Sequence, residues 1–417
     1  MGPAAEPSPL TIDATGRDIH GEAARIRARG PATRVELPGR VEAWAVSSPE
    51  LLKRLLTDPR VSKDPRQHWT RFREGGITPD WPLFTWVAVQ NMFTAYGGEH
   101  RRLRTLISVA FTARRTAALR PRITELTGEL LDRVAETARR SGSVDLREEF
   151  CYPLPIQVIG ELFGVPGHLA PELRRLVDGL FHTAADPGEM NATYERMYGV
   201  LTELVAAKRT SPGDDLTSAL IAARDERGDT RLSEDELLNT LVLFISAGHE
   251  TTVNLLDNAI HALLTHPEQL THVRAGRASW DDVVEETLRR DAPVASLPLR
   301  YAVEDLPLGE LGGPEGVVIG KGEAILAAYA AAGRDPRRHG EDAALFDVTR
   351  ADKEHLAFGY GVHRCLGAPL GRLEAVIALP ALFERFPGLR LAAHGDDLGH
   401  VESFISNGHR RLPVRLG

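Results

Sequence analysis

The segment Phe358-Gly359-Tyr360-Gly361-Val362-His363-Arg364-Cys365-Leu366-Gly367 gathers groups that an ordinary loop does not need together. Gly359 and Gly361 let the backbone turn tightly and approach a flat group closely. Cys365 stands just before an apolar-periodic stretch that reads as a helix, so the first amides of that helix are placed to stabilise a thiolate. The chemistry on offer is ligation by sulfur. A buried, inert thiol is the usual reading of a lone cysteine, yet it leaves Gly359, Gly361, His363 and Gly367 unexplained. A zinc site on His363 and Cys365 is weaker, because no second Cys or His pair stands nearby at ligand spacing. Cys151 has no such context and reads as packing.

A second group, Ala247-Gly248-His249-Glu250-Thr251-Thr252, falls in the middle of a helix-forming stretch. Its composition is costly there: a mid-helix glycine loses about 1 kcal/mol relative to alanine, and threonines that bond backward bend the axis. A polar patch facing solvent would explain it, but Leu241 to Ile245 before it and Val253, Leu255 and Leu256 after it argue for burial. An acid beside an alcohol in a buried helix suits proton transfer. Glu286 and Arg289 share one helical face, a pairing that contributes little when exposed. His100 and Arg104, spaced four apart, also share a face, so one anion can meet both.

Long elements must position these groups. Ser233-Glu234-Asp235-Glu236 reads as a capping box that opens a helix with no proline before His266. Its roughly thirty residues span about 45–50 Å, the width of a domain. Other apolar-periodic stretches cover 101–138, 195–208, 280–290 and 367–385. Strand-like runs occur at 41–46, 299–303, 316–319, 324–327 and 401–414. A mainly α body with small β-sheets follows. The aromatic, apolar segment 81–96, between Gly75-Gly76 and Gly97-Gly98, reads equally as a pocket roof or as packed core.

The chain has 417 residues, 42% hydrophobic and 26% charged, which is the composition of an ordinary folded protein. A formal charge of -8 disfavours non-specific nucleic-acid binding. Two cysteines far apart fit a reducing cytoplasm rather than a disulfide scaffold, and no apolar run in the first thirty residues suits a signal peptide or membrane span. Punctuation by Pro and Gly is spread along the chain, so residues 1–417 are expected to form one domain, with 1–37 a partly extended N-terminal segment.

At the cysteine loop the sequence resembles the cytochrome P450 superfamily, matching Phe-Gly-x-Gly-x-His-x-Cys-x-Gly at every specified position. The resemblance runs from about Pro38 to the end and includes Ala-Gly-x-Glu-Thr-Thr and Glu-x-x-Arg in the family's order. It implies heme b (iron protoporphyrin IX) between the long central helix and the helix after the loop, with the Cys365 thiolate as axial ligand and Phe358, Gly359 and Gly367 around it. It implies that Ala247 and Gly248 border the heme where the helix widens to admit O2, with Glu250 and Thr251 relaying protons. His100, Arg104, Arg300 and His363 would meet the propionates, and Glu286 with Arg289 would be structural. Three residues depart from the pattern: Gly333 replaces a frequent Asn, Leu345 stands where some members place an arginine completing the Glu-x-x-Arg network, and Arg290 replaces a frequent aromatic.

The implied activity is that of a monooxygenase of the soluble actinomycete type, adding one oxygen atom to a bulky apolar substrate such as a steroid or polyketide macrocycle. Without a flavin or iron–sulfur domain, electrons would come from ferredoxin and an NAD(P)H-dependent ferredoxin reductase, docking near Arg101, Arg102, Arg364 and Arg372. A peroxide-driven peroxygenase or redox-independent catalyst, and a non-catalytic heme sensor or carrier, are the competing expectations.

Overall fold

The computed structural model describes residues 8–108, 111–181, 186–224, 230–393 and 395–417. Its centre is the helix Glu234–Thr265, hereafter α6, whose start is set by the capping box. The Ser233 hydroxyl accepts from the Glu236 amide at 3.2 Å, and the Glu236 carboxylate accepts from the Ser233 amide at 2.8 Å. Apolar residues surround this helix, which explains why it is buried along both flanks of its middle. The neighbours that bury it are α3 (Pro153–Leu162), α4 (Ala170–Phe181), α5 (Pro187–Thr210), α7 (Trp280–Arg290) and α8 (Ala368–Arg385). Helices α1 (Gly97–Ser108) and α2 (Arg120–Ser141) precede them, with α2 packed against α8.

The stretch expected as one helix over 101–138 is divided. α1 is described as far as Ser108, and a separate short helix begins where Thr112 accepts from the Arg115 amide at 3.3 Å. Pro121 then sits in the first turn of α2, where its missing N–H costs nothing. Residues 109–110, and residues 1–7 of the expected N-terminal segment, lie outside the described residues.

One side of the helical body carries a six-stranded sheet of β1 (Leu10–Thr11), β2 (Ala32–Leu37), β3 (Val41–Val46), β4 (Val61–Ser62), β5 (Leu297–Ala302) and β6 (Ala324–Ala327). Its order is β1-β2-β3-β6-β5-β4. The β4–β5 register sets Ser62 opposite Tyr301, which brings Lys63 beside the strand that carries Arg300. Only Pro413–Arg415 of the expected C-terminal strand pairs in a sheet. The preceding residues bond to α6 instead: His409 donates its amide to Asp257 at 2.8 Å, and Asn258 donates to the Asn407 carbonyl at 2.9 Å.

Candidate active site

The cysteine loop is held by its own backbone. The Cys365 amide donates to the Phe358 carbonyl at 2.9 Å, and Gly359 and Gly361 take φ of 67° and 71°, the left-handed region that favours glycine. A Cβ on Gly361 would lie 2.8 Å from the Leu56 carbonyl oxygen, so close approach as well as conformation demands glycine there. Burial pushes the Cys365 thiol up, and the amides of Gly367 and Ala368, together with Arg104 and Arg364, pull it back toward the thiolate. Cys151 is wholly enclosed in the apolar core.

His100 and Arg104 from α1, Arg300 from β5 and His363 from the loop converge. The rings of His100 and His363 lie 4.0 Å apart. Lys63, which the sequence reading did not single out, joins them. The residue is 3% exposed, its ammonium lies 3.5 Å from the centre of the Phe93 ring, and it donates to the Pro298 carbonyl at 3.4 Å. Burial lowers His363 far below the ordinary imidazole range, and every further charge acting on it is basic: Arg300, His100, Lys63 and Arg104. Burial and the arginines Arg104, Arg300 and Arg101 push His100 down to about 4, and its Nε2 is buried without a hydrogen-bond partner. Such a cluster of like charges is costly unless an anion enters it. The propionates of a heme fit that demand, and a thiolate-bearing loop fits its iron.

Beside α6 lies a pocket of about 750 Å³, mouth included, lined chiefly by apolar side chains such as Trp86, Phe93, Phe181, Val242, Leu243 and Val294. Both readings of segment 81–96 hold in part: Trp81, Leu83, Val87 and Met92 are core, while Thr85, Trp86, Val89 and Phe93 face the pocket. Asn239 ties its walls together. The hydroxyls of Tyr194 and Tyr198 on α5 donate to its side-chain oxygen, and Asn91 donates to its carbonyl at 3.2 Å.

Ala247 and Thr251 border this pocket, and the Thr251 hydroxyl donates to the Ala247 carbonyl at 2.7 Å. Glu250 turns elsewhere. Its Oε1 accepts from Arg147 at 3.2 Å, Asn254 at 3.2 Å and Ser406 at 3.1 Å, and it is 3% exposed. Burial raises its pKa against the pull of Arg147 and these hydrogen bonds. Asp257, one turn and more along α6, closes the same network through Arg147 at 3.5 Å and His409 at 2.9 Å. The expected widening at Gly248 is corrected: α6 is helical without interruption, and a Cβ on Gly248 would meet Ile159 of α3 at 2.7 Å. Close helix packing favours a glycine there, since any larger residue would have to displace the terminal methyl of Ile159.

Glu286 and Arg289 are fully buried, and all five N–H directions of Arg289 are used, toward Glu286 and the carbonyls of Gly333, Ala343 and Leu345. Leu345 is 61% exposed and leaves no gap in the network, because Arg350 approaches Glu286 to 3.6 Å and supplies the second guanidinium. At Gly333 a Cβ would lie 1.9 Å from the Arg289 carbonyl oxygen, so this backbone approach leaves no room for a larger residue. Arg290 donates to the Ala344 carbonyl at 2.9 Å and to Asp291 at 3.0 Å. Of the four arginines near the loop, Arg102 is paired with Glu99 and Glu236, and Arg372 with Glu285, which leaves Arg101 and Arg364 as the exposed cations.

Fold and loop together define a heme-thiolate enzyme. The family model described as Cytochrome P450 matches residues 190–276 and 280–390. The 2-hydroxy-5-methyl-1-naphthoate 7-hydroxylase of Streptomyces carzinostaticus is 44% identical over 98% of this chain and 97% of its own length. CYP154A1 from Streptomyces coelicolor A3(2) has a TM-score of 0.90 at 55% identity, covering 98% of this chain and 100% of that one. Testosterone-bound CYP154C4 from Streptomyces sp. ATCC 11861 has a TM-score of 0.91 at 42% identity, covering 99% of both. The chain belongs to the cytochrome P450 family, and it is a monooxygenase that carries heme on a cysteine thiolate. Among the described residues no helix is long and apolar enough to cross a membrane.

Proposed function

We propose that this monooxygenase, working as one domain in the cytoplasm, hydroxylates a bulky apolar natural product, with a steroid or similarly sized polycycle first and a polyketide macrocycle second. The apolar pocket beside Thr251 carries the reading. Relatives named for a naphthoate and bound to testosterone support it. Bound on Cys365, the heme supplies oxygen activation: with two electrons from outside, one atom of O2 enters the substrate and the other leaves as water. Ferredoxin and an NAD(P)H-dependent ferredoxin reductase supply those electrons, docking on the face of Arg101 and Arg364.

The residues do the rest. Trp86, Phe181 and Leu243 exclude water and hold the substrate by apolar contact. Thr251 holds a proton at its Oγ1 on the pocket wall, and Glu250, an acid of raised pKa whose carboxyl rests in the network of Arg147, Asn254 and Ser406, replenishes that proton once its side chain turns from that network toward the pocket. His100, Arg104, Arg300 and His363 hold the propionates. Spectral titration with steroids, macrolides and aromatic polyketides, followed by turnover with NADH, ferredoxin and reductase, tests the substrate reading. Turnover with peroxide alone and none with the electron-transfer proteins would replace it with a peroxygenase. No turnover under either condition would leave a sensor or carrier.

Two substitutions test the residue roles. Thr251→Ala is expected to leave the substrate-induced spectral shift nearly intact while lowering product formed per NADH consumed, with reduced oxygen released as peroxide. An unchanged product ratio beside a large loss of affinity would make Thr251 a substrate contact instead. Replacing His100 and Arg104 together by alanine removes charge-assisted partners worth about 1–3 kcal/mol each. The double variant should purify with a large apoprotein fraction, and full heme occupancy would remove both residues from the site.

A further inference from the structure

Lys63 is a buried ammonium for which the described residues provide no carboxylate. It sits directly after β4, and the pairing of Ser62 with Tyr301 sets it next to Arg300. Its one hydrogen bond among the described residues, to the Pro298 carbonyl, is long at 3.4 Å, and its second contact is the face of Phe93 at 3.5 Å. Lysine ammonium has three donors, so a single weak acceptor and a ring leave it poorly satisfied at 3% exposure. The charged group acting on it is another cation, Arg300, and burial with that repulsion drives it well below the ordinary lysine range. A buried, unpaired charge of this kind is strongly destabilising unless an anion meets it.

Two anions can be considered. One is a carboxylate on the substrate, reached past Phe93, which borders the pocket; Lys63 itself is not among the pocket-lining residues. The other is a heme propionate. Lys63, Arg300, His100 and Arg104 all act electrostatically on His363, whose ring lies 4.0 Å from that of His100, and the β4–β5 register places Lys63 beside Arg300. A carboxylate has about four lone-pair directions, so two propionates accommodate a fifth basic group beside the four already placed. Its place directly after the paired residue Ser62 also holds Lys63 on the Arg300 side of the cluster.

We propose that Lys63 is a fifth basic partner of the heme propionates, entering from β4 and the Arg300 side. This rests on the heme reading above and extends it to a residue outside the cysteine loop, α1 and β5. Neutralising a propionate from that side tightens heme and makes its iron easier to reduce, because less negative charge opposes the incoming electron.

The test compares holoenzyme with Lys63→Met, which keeps the length and apolar body of the side chain, and with Lys63→Arg, which keeps the charge. Heme transfer to excess apomyoglobin should be several-fold faster in Lys63→Met and near wild type in Lys63→Arg. The reduction potential should fall in Lys63→Met and recover in Lys63→Arg. Reconstitution with the dimethyl ester of heme, which carries no propionate charge, should erase the difference between wild type and Lys63→Met. Equal release rates and potentials in all three proteins would overturn the proposal, as would a difference that persists with the ester. A loss confined to the spectral affinity of carboxylated ligands would also overturn it and assign Lys63 to substrate. If replacing His100 and Arg104 speeds heme release while Lys63→Met does not, only Lys63 leaves the site and the wider reading stands.

Discussion

Cys365→Ser is expected to abolish the strongly red-shifted Soret band of the reduced carbon-monoxide complex, and with it all NADH-driven turnover, while Cys151→Ser leaves both in place. The two thiols differ in surroundings. Burial raises the Cys365 thiol, but two backbone amides and the fields of Arg104 and Arg364 act on it in the opposite sense and favour sulfur as an anion. Cys151 is fully enclosed at the end of a π-helical turn, and burial with Asp257 nearby raises its thiol far above the usual range. A serine hydroxyl at 365 would not ionise near neutral pH and cannot supply the electron-rich ligand that produces that band. Survival of the band in Cys365→Ser, or its loss in Cys151→Ser, would reverse the assignment.

Arg289→Ala should produce the largest loss of stability of any single change outside the cysteine loop, about 3–5 kcal/mol. The substitution strands Glu286 as a fully buried carboxylate and leaves three carbonyls without their donor. Arg350 at 3.6 Å and the Asp347 amide at 2.9 Å remain near Glu286 but do not replace a bidentate partner. Arg289→Lys keeps the charge and loses the fork, so it recovers only part of the loss. The measurement is the denaturant midpoint of the holoenzyme. Arg139→Ala, on an exposed pair with Glu136, serves as the comparison and should hardly move it. Equal midpoints for the two variants would show that the buried pair is not what holds this region.

What the sequence made visible was local. The glycines around Cys365, the capping box at Ser233 and the spacing of Glu286 and Arg289 each declare themselves within ten residues, and each has its expected place in the fold. Groups contributed from afar were not visible. Arg147 meets Glu250 across 103 positions, and neither a motif nor a period marks it. No local pattern marks Arg350 as the second guanidinium at Glu286, and Leu345 contributes through its carbonyl while its side chain points to solvent. Gly248 misled for a different reason: a glycine in a helix signals close approach, but not of what, and here the neighbour is Ile159. The new helix start at Thr112 escaped the apolar period because the period does not register a cap, although Thr112 was there to be read.

The carboxyl of Glu250 has a history as well as a place. Its acceptor role is satisfied by Arg147 from one part of the chain and by Ser406, 156 positions later, from another. During synthesis α6 is complete long before Ser406 leaves the ribosome, so for that interval a helix destined for the interior carries an acid with an unfinished shell. Closure must therefore come late, when the 403–409 strap settles across α6 and its asparagines. Until then the energetic reason for burying the middle of α6 is incomplete, and this region should be the last to gain protection from hydrogen exchange during refolding. The proton-handling end of the active site is in this sense assembled by the docking of a segment that never touches the pocket.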